Sequence, residues 1–334
     1  MRELDIPMPG RTRPRRLRRT QAIRDLVAET HVVPSQFIVP RFVLPADKAD
    51  EPIPSLPGLS QLGIENLLGV VEDELKLGIR AVLLFGHPEA GAKKTPDGQL
   101  AWDPNGAVQR ATERLKHTFG DDLIVMTDVC LCAYTDHGHC GLIDKGRVLN
   151  DPSLEPLVRT ALSHADAGAD VVAPSDMMDG RIAAIRDGLD ENGFSDVILM
   201  AYAVKYASGY YGPFRDAADS APAEGDRQSY QMDARNALEA LREVELDELE
   251  GADMLMVKPA LAYLDVIARV RAVSRLPLAA YNVSGEYAQV KAAAERGWID
   301  EGAVVNENLL AMTRAGADVL ITYHARDAAQ EGWL

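Results

Sequence analysis

The sequence predicts an α/β protein: a single (β/α)₈ TIM barrel over residues 31–334, preceded by an extended N-terminal arm over residues 1–30. Three observations predict it. Short runs that are apolar on both faces recur eight times with helix-periodic segments between them, the pattern of parallel strands covered by helices. The tripeptide Gly-Ala-Asp recurs at 168–170, 251–253 and 316–318, closing a helix-like stretch and opening a strand, with the glycine placed to cap the helix. Residues able to do chemistry gather where the runs end, the face that holds the site in such barrels. A doubly wound open sheet also fits the length, but eight units suit closure better.

The arm comes first. Arg11, Arg13, Arg15, Arg16, Arg18 and Arg19 crowd one short segment of a chain whose net charge is −16. A solvated tail and an arm docked on an acidic neighbouring subunit both fit. Nucleic acid fits least, because no aromatic residues interleave and the rest of the chain is acidic. The first twenty residues lack an apolar core and no run approaches membrane-spanning length, so neither a signal peptide nor a membrane span is expected. Three cysteines in 334 residues, an odd number, argue against a disulfide framework and for a reducing cytoplasm.

A short helix is expected over 22–30, then strands over 36–43, 80–85, 122–127, 170–173, 196–202, 253–258, 277–283 and 318–323. The third strand ends in Asp128 and a cysteine-rich loop, the fourth in Ser175 and Asp176. The fifth delivers Lys205, the sixth Lys258, the seventh Ser284 and the eighth Tyr323. The aspartates that open strands read as junction residues or caps.

All three cysteines, Cys130, Cys132 and Cys140, lie within residues 128–141, with His137 and His139. Thiolates suit zinc, and three of them leave a tetrahedral ion one open position, the catalytic arrangement; a histidine as fourth ligand would close the site and make it structural. Spacing leaves both open, together with a metal-free buried cluster.

Lys258 ends an apolar run, and burial disfavours its charged form. Lys205 ends the neighbouring strand, and adjacent strands lie about 4.8 Å apart, so the two ammonium groups would repel. Both effects favour a neutral amine, the form that attacks a ketone to give a Schiff base. Either lysine alone is more simply a rim residue reaching water; two among nine lysines, on successive strand ends, point to a pair. The long irregular stretch 206–231 reads as a lid, and its Arg215 and Arg227 could clamp a carboxylate or serve ordinary surface ion pairs.

These segments resemble the porphobilinogen synthase (5-aminolevulinate dehydratase) family from end to end. The resemblance is carried by the arginine arm 13–18, the cysteine loop 128–141, residues 173–180 (APSDMMDG) and 211–218 (YGPFRDAA). Residues 225–227 (GDR), 256–259 (MVKP) and 283–287 (VSGEY) carry it further. It implies condensation of two 5-aminolevulinate molecules to porphobilinogen with loss of two waters, in tetrapyrrole synthesis. Lys258 takes the place of the first Schiff-base lysine and Lys205 that of the second. Arg215, Arg227 and Gln231 match the residues around one substrate carboxylate, Ser284 and Tyr323 those around the other. Asp128 and Ser175 line the amino-group side.

The resemblance further implies a catalytic zinc on Cys130, Cys132 and Cys140, with His137 and His139 off the metal and no organic cofactor. Ala133 and Asp136 stand where the family most often has proline and serine. Glu243 aligns with the glutamate of an allosteric magnesium site; a solvated helix glutamate is its plain alternative. A homo-octamer is implied, with the arm embracing a neighbour. Two other readings are a Schiff-base aldolase on the same barrel, which would survive zinc removal, and a metal-binding or nucleic-acid-binding regulator, which the net charge disfavours.

Overall fold

Eight strands in the computed structural model, which describes residues 12–45, 48–88 and 92–334, run parallel: β1 (Phe37–Val43), β2 (Ala81–Gly86), β3 (Ile124–Val129), β4 (Val171–Pro174), β5 (Ile198–Lys205), β6 (Met254–Lys258), β7 (Leu278–Asn282) and β8 (Val319–Thr322). Each pairs with the next, and β8 pairs with β1 through Phe37↔Leu320 and Ile38↔Ile321, closing the predicted ring. Helices follow the strands and cover the outside. Among the described residues no helix is long and apolar enough to cross a membrane.

The strand faces divide the apolar residues into two layers. Met200, Tyr202, Met256, Ala279, Tyr281 and Ile321 fill the interior with Ile38, Leu83 and Met126, while Leu199, Ala201, Leu255, Leu278 and Leu320 pack outward against the helices. Both faces are therefore buried, as the non-alternating runs require.

The Gly-Ala-Asp junctions do two jobs. Gly168, Gly251 and Gly316 take left-handed φ of 97°, 99° and 120°, and the next alanine N–H returns to the helix carbonyl five residues back. The aspartate then joins the sheet from outside the strand proper. Asp170, Asp253 and Asp318 accept Val125 N–H, Leu199 N–H and Leu278 N–H on their carboxylates at 2.8, 2.8 and 2.9 Å, and their own N–H groups bond the same residues' carbonyls. This is why several strands begin one or two residues later than expected.

One irregularity shapes the mouth. Between Leu255↔Ala201 and Val257↔Val204 the register slips, so β5 carries one residue more than β6. Tyr202 faces the interior, and plain alternation would send Lys205 to the outer face. The extra residue reverses the parity and turns Lys205 inward, opposite Lys258.

The chain divides into two compact units at residues 31 and 32. In the first, a 3₁₀ turn (Pro14–Arg18) precedes a helix (Gln21–Leu26) capped by Thr20, whose hydroxyl accepts Ile23 N–H at 3.3 Å. Neither has a buried residue. The helix stops at Leu26, short of the expected 30, since with no face to pack a short helix gains little by propagating. Arg11 lies outside the described residues.

Candidate active site

The β5–β6 register sets Lys258 directly beside Lys205. Both are about 5% exposed. The Lys258 Nζ stands 4.4 Å from the Tyr281 ring centre, 5.0 Å from Phe214, 5.2 Å from Tyr202 and 5.3 Å from Tyr211. Lys205 Nζ donates to the Ser175 carbonyl and lies 5.6 Å from the Tyr202 ring. Asp128, at the end of β3, faces both ammonium groups, and its side chain meets Ser175.

The aromatic faces favour a cation by about 0.5–2 kcal/mol. Burial first, then the Lys205 charge, outweigh them and the attraction of Asp128, holding Lys258 down to about 7. Burial likewise pushes the Asp128 carboxyl up against the pull of Lys205 and Lys258. The amine and the acid are thus both drawn toward their neutral forms.

After β3 the chain turns back at once: Tyr134 N–H and Thr135 N–H both bond Leu131 O at 2.9 Å, bringing Cys130 and Cys132 onto one side. Gly138, at φ 71°, returns the chain to Cys140, and a Cβ there would stand 2.4 Å from Ala221 O of the lid. The three sulfurs, all free and buried, lie within 4.8 Å of one another, with Cys130 and Cys132 3.4 Å apart. Sulfurs on a tetrahedral zinc with bonds of about 2.3 Å stand about 3.8 Å apart, so the set fits. Hydrogen bonding with Cys130 and Cys132 holds the Cys140 thiol well below its usual range, while the bond to Cys132 pushes Cys130 well above.

The histidines point elsewhere. His139 uses its ring nitrogens on Tyr230 OH (3.2 Å) and Glu224 O (2.9 Å), and His137 uses its own on Pro96 O (3.1 Å) and on His139 N–H (3.1 Å).

A lid helix (Gly212–Ala217) lays Phe214 over Lys258 and carries Arg215. Arg227 Nη2 donates to Gly138 O at 2.9 Å and to Ser220 O. Among the described residues Arg215 Nε, Arg227 Nε and both amide atoms of Gln231 are buried without partners. Each such atom costs about 1–3 kcal/mol, and together they offer an anion several donors. Tyr323 OH meets Tyr281 OH at 3.2 Å, and Ser284 Oγ accepts Phe214 N–H at 3.0 Å.

A family model described as delta-aminolevulinic acid dehydratase matches residues 11–331. The chain belongs to the delta-aminolevulinic acid dehydratase family. A Synechocystis sp. dehydratase is 53% identical over 326 residues, covering 96% of this chain and 98% of its own; that of Bacillus subtilis is 51% identical over 322, covering 96% and 98%. The Toxoplasma gondii ME49 delta-aminolevulinic acid dehydratase (porphobilinogen synthase), solved with the reaction product porphobilinogen, superposes with a TM-score of 0.94 at 48% identity, covering 97% of this chain and 92% of that one.

In this member of the dehydratase family Glu243 lies apart from the lysines. It is half-buried on the helix Leu238–Leu249, near Arg181, Asp247 and Asp179, and burial pushes its carboxyl up to about 7. It lines a cavity of about 1290 Å³ together with Asp136, Asp179, Glu224 and Glu239. His139, Tyr230 and Gln231 also line this cavity, whereas the space at Asp128, Cys130 and Phe214 is only about 20 Å³.

Sequence reasoning missed the aromatic walls. Tyr202 and Tyr281 were in view only as strand residues, though each lies on the inward parity of its strand, the signal that could have found them. Tyr211 and Phe214 come from the lid and carry no such signal.

Proposed function

We propose that this chain condenses two 5-aminolevulinate molecules to porphobilinogen with loss of two waters. The observation that carries this reading is Lys258, an amine drawn toward neutrality inside an aromatic chamber, with Lys205 beside it.

The unprotonated Lys258 Nζ adds to the ketone of one substrate; loss of hydroxide as water leaves a cationic Schiff base. Asp128, which faces the amine, is the group placed to pass the proton that the departing hydroxyl needs. The rings of Tyr281, Phe214, Tyr202 and Tyr211 then stabilise the iminium and exclude water. Lys205 holds the other substrate the same way. Arg215, Arg227 and Gln231 take one carboxylate on their free donors, Ser284 and Tyr323 take the other, and Ser175 with Asp128 lines the amino-group side.

Cys130, Cys132 and Cys140 would hold a zinc ion, which when bound would supply Lewis acidity to the second substrate. Borohydride added with 5-aminolevulinate is expected to fix one substrate on Lys258, read by peptide mass; an unmodified Lys258 in active protein sinks the reading.

Glu243, with its half-buried carboxyl on the acidic cavity, is proposed to take an allosteric magnesium. Glu243→Gln is expected to abolish magnesium stimulation while activity without magnesium stays within about twofold; equal stimulation of both proteins counts against it. The arm, which buries none of its own helical residues, is proposed to pack on another copy in a cytoplasmic homo-octamer. Deleting residues 1–20 should yield smaller assemblies by light scattering; an unchanged mass refutes the arm's role.

A further inference from the structure

The lid helix is too short to hold itself in place, and the barrel grips it at both ends. Its Phe214 N–H donates to Ser284 Oγ at 3.0 Å. At the other end Phe214 O takes Ala218 N–H and Arg215 O takes Ser220 N–H, leaving the Ala217 carbonyl among the orphan acceptors of a helix terminus. Two side chains converge on it: Gln61 Nε2 at 2.8 Å and His87 Nε2 at 2.6 Å, 3.2 Å from each other. A carbonyl has two lone pairs and both are used.

Neither donor belongs to the lid. Gln61 sits in the short strand Ser60–Leu62, registered on β1 through Phe42↔Gln61 and Val43↔Leu62. His87 follows β2, and its N–H bonds Val43 O at 3.1 Å. Both backbones are therefore anchored to the end of β1, the strand whose Phe42 packs on Phe214 at 5.6 Å and on Phe85, which meets Phe214 edge-on at 5.0 Å. Leu62 turns into the core, which leaves Gln61 on the opposite parity, toward the mouth.

We propose that Gln61 and His87 are positioning residues: by clamping Ala217 O they fix the lid helix so that Phe214 closes on Lys258 and Arg215 stands where a substrate carboxylate binds. The proposal rests on the Schiff-base reading of Lys258. The imidazole acts as an Nε2–H donor with Nδ1 unprotonated. A substrate carboxylate on Arg215 also holds the lid closed, so at saturation Phe214 again covers Lys258 and loss of the clamp falls on KM.

Gln61→Leu and His87→Ala are each expected to raise KM for 5-aminolevulinate about fivefold, and the double variant about 25-fold, with kcat changed less than twofold. Chymotrypsin should cut after Phe214 faster in the same order, and His87→Gln, which returns an Nε2 donor, should restore both readouts. Wild-type KM and cleavage rate in the double variant overturn the clamp. So does a His87→Ala defect that His87→Gln leaves uncorrected. Gln61 is partly exposed, so Gln61→Leu tests the clamp if the double variant does not fold. A wild-type protein that makes no porphobilinogen would instead defeat the proposed activity, while the protease measurement still judges the clamp.

Discussion

Lys258→Ala is expected to eliminate the borohydride-trapped adduct and to lower kcat/KM by at least about 10⁴, since among the described residues Lys205 is the one other buried lysine. An adduct that moves to Lys205 with turnover preserved would reverse the roles of the two lysines. The wild-type rate of adduct formation should rise about tenfold per pH unit and level off above about 7, the value to which Lys258 is held. The sign follows from the lone pair: below that pH the nitrogen is an ammonium and cannot attack. Lys205→Met removes the second of the two depressing influences while burial remains, so the Lys258 pKa should rise and the acid limb move to higher pH. Because Lys205 is also proposed to hold the other substrate, the readout is trapping at Lys258, not turnover. An acid limb that stays put would mean that the neighbouring charge does not act on Lys258.

Most of this site can be read from the sequence because it hangs on strand ends, and strand ends can be read. Asp128, Ser175, Lys205, Lys258 and Tyr323 each close an apolar run, and the ring brings them to one mouth. What escapes is geometry that one extra residue controls. Alternation along β5 sends Lys205 outward, and only the slip between Ala201 and Val204 turns it in; no composition signal marks that bulge. The junction aspartates show a similar limit. Their recurrence is visible, but their carboxylates cap the N–H groups of a neighbouring strand, a contact set by barrel stagger. Gln61 and His87 are further from view, since their shared acceptor is a lid carbonyl more than a hundred residues away.

The cysteine cluster should separate binding of the first substrate from the rest of the reaction. Stripping metal with a chelator, or replacing Cys132 with serine, is expected to cut porphobilinogen formation about a thousandfold, the scale of a lost Lewis acid. The Lys258 adduct should still form, because the amine is walled by Tyr281, Phe214, Tyr202 and Tyr211, none of which holds the metal. Zinc content should fall in Cys130→Ser, Cys132→Ser and Cys140→Ser and stay at one per chain in His137→Ala and His139→Ala, whose ring nitrogens already bond Pro96 O, Tyr230 OH and Glu224 O. Affinity should weaken as pH falls: thiols must lose protons to bind, and Cys132 is pushed up to about 11 by its surroundings. That value reflects hydrogen bonding with Cys130, which lowers it, outweighed by the bond with Cys140 and by burial. Zinc retained in Cys140→Ser but lost in His139→Ala would replace the three-thiolate site with a mixed one, and loss of the Lys258 adduct on chelation would tie the metal to the first substrate instead of the second.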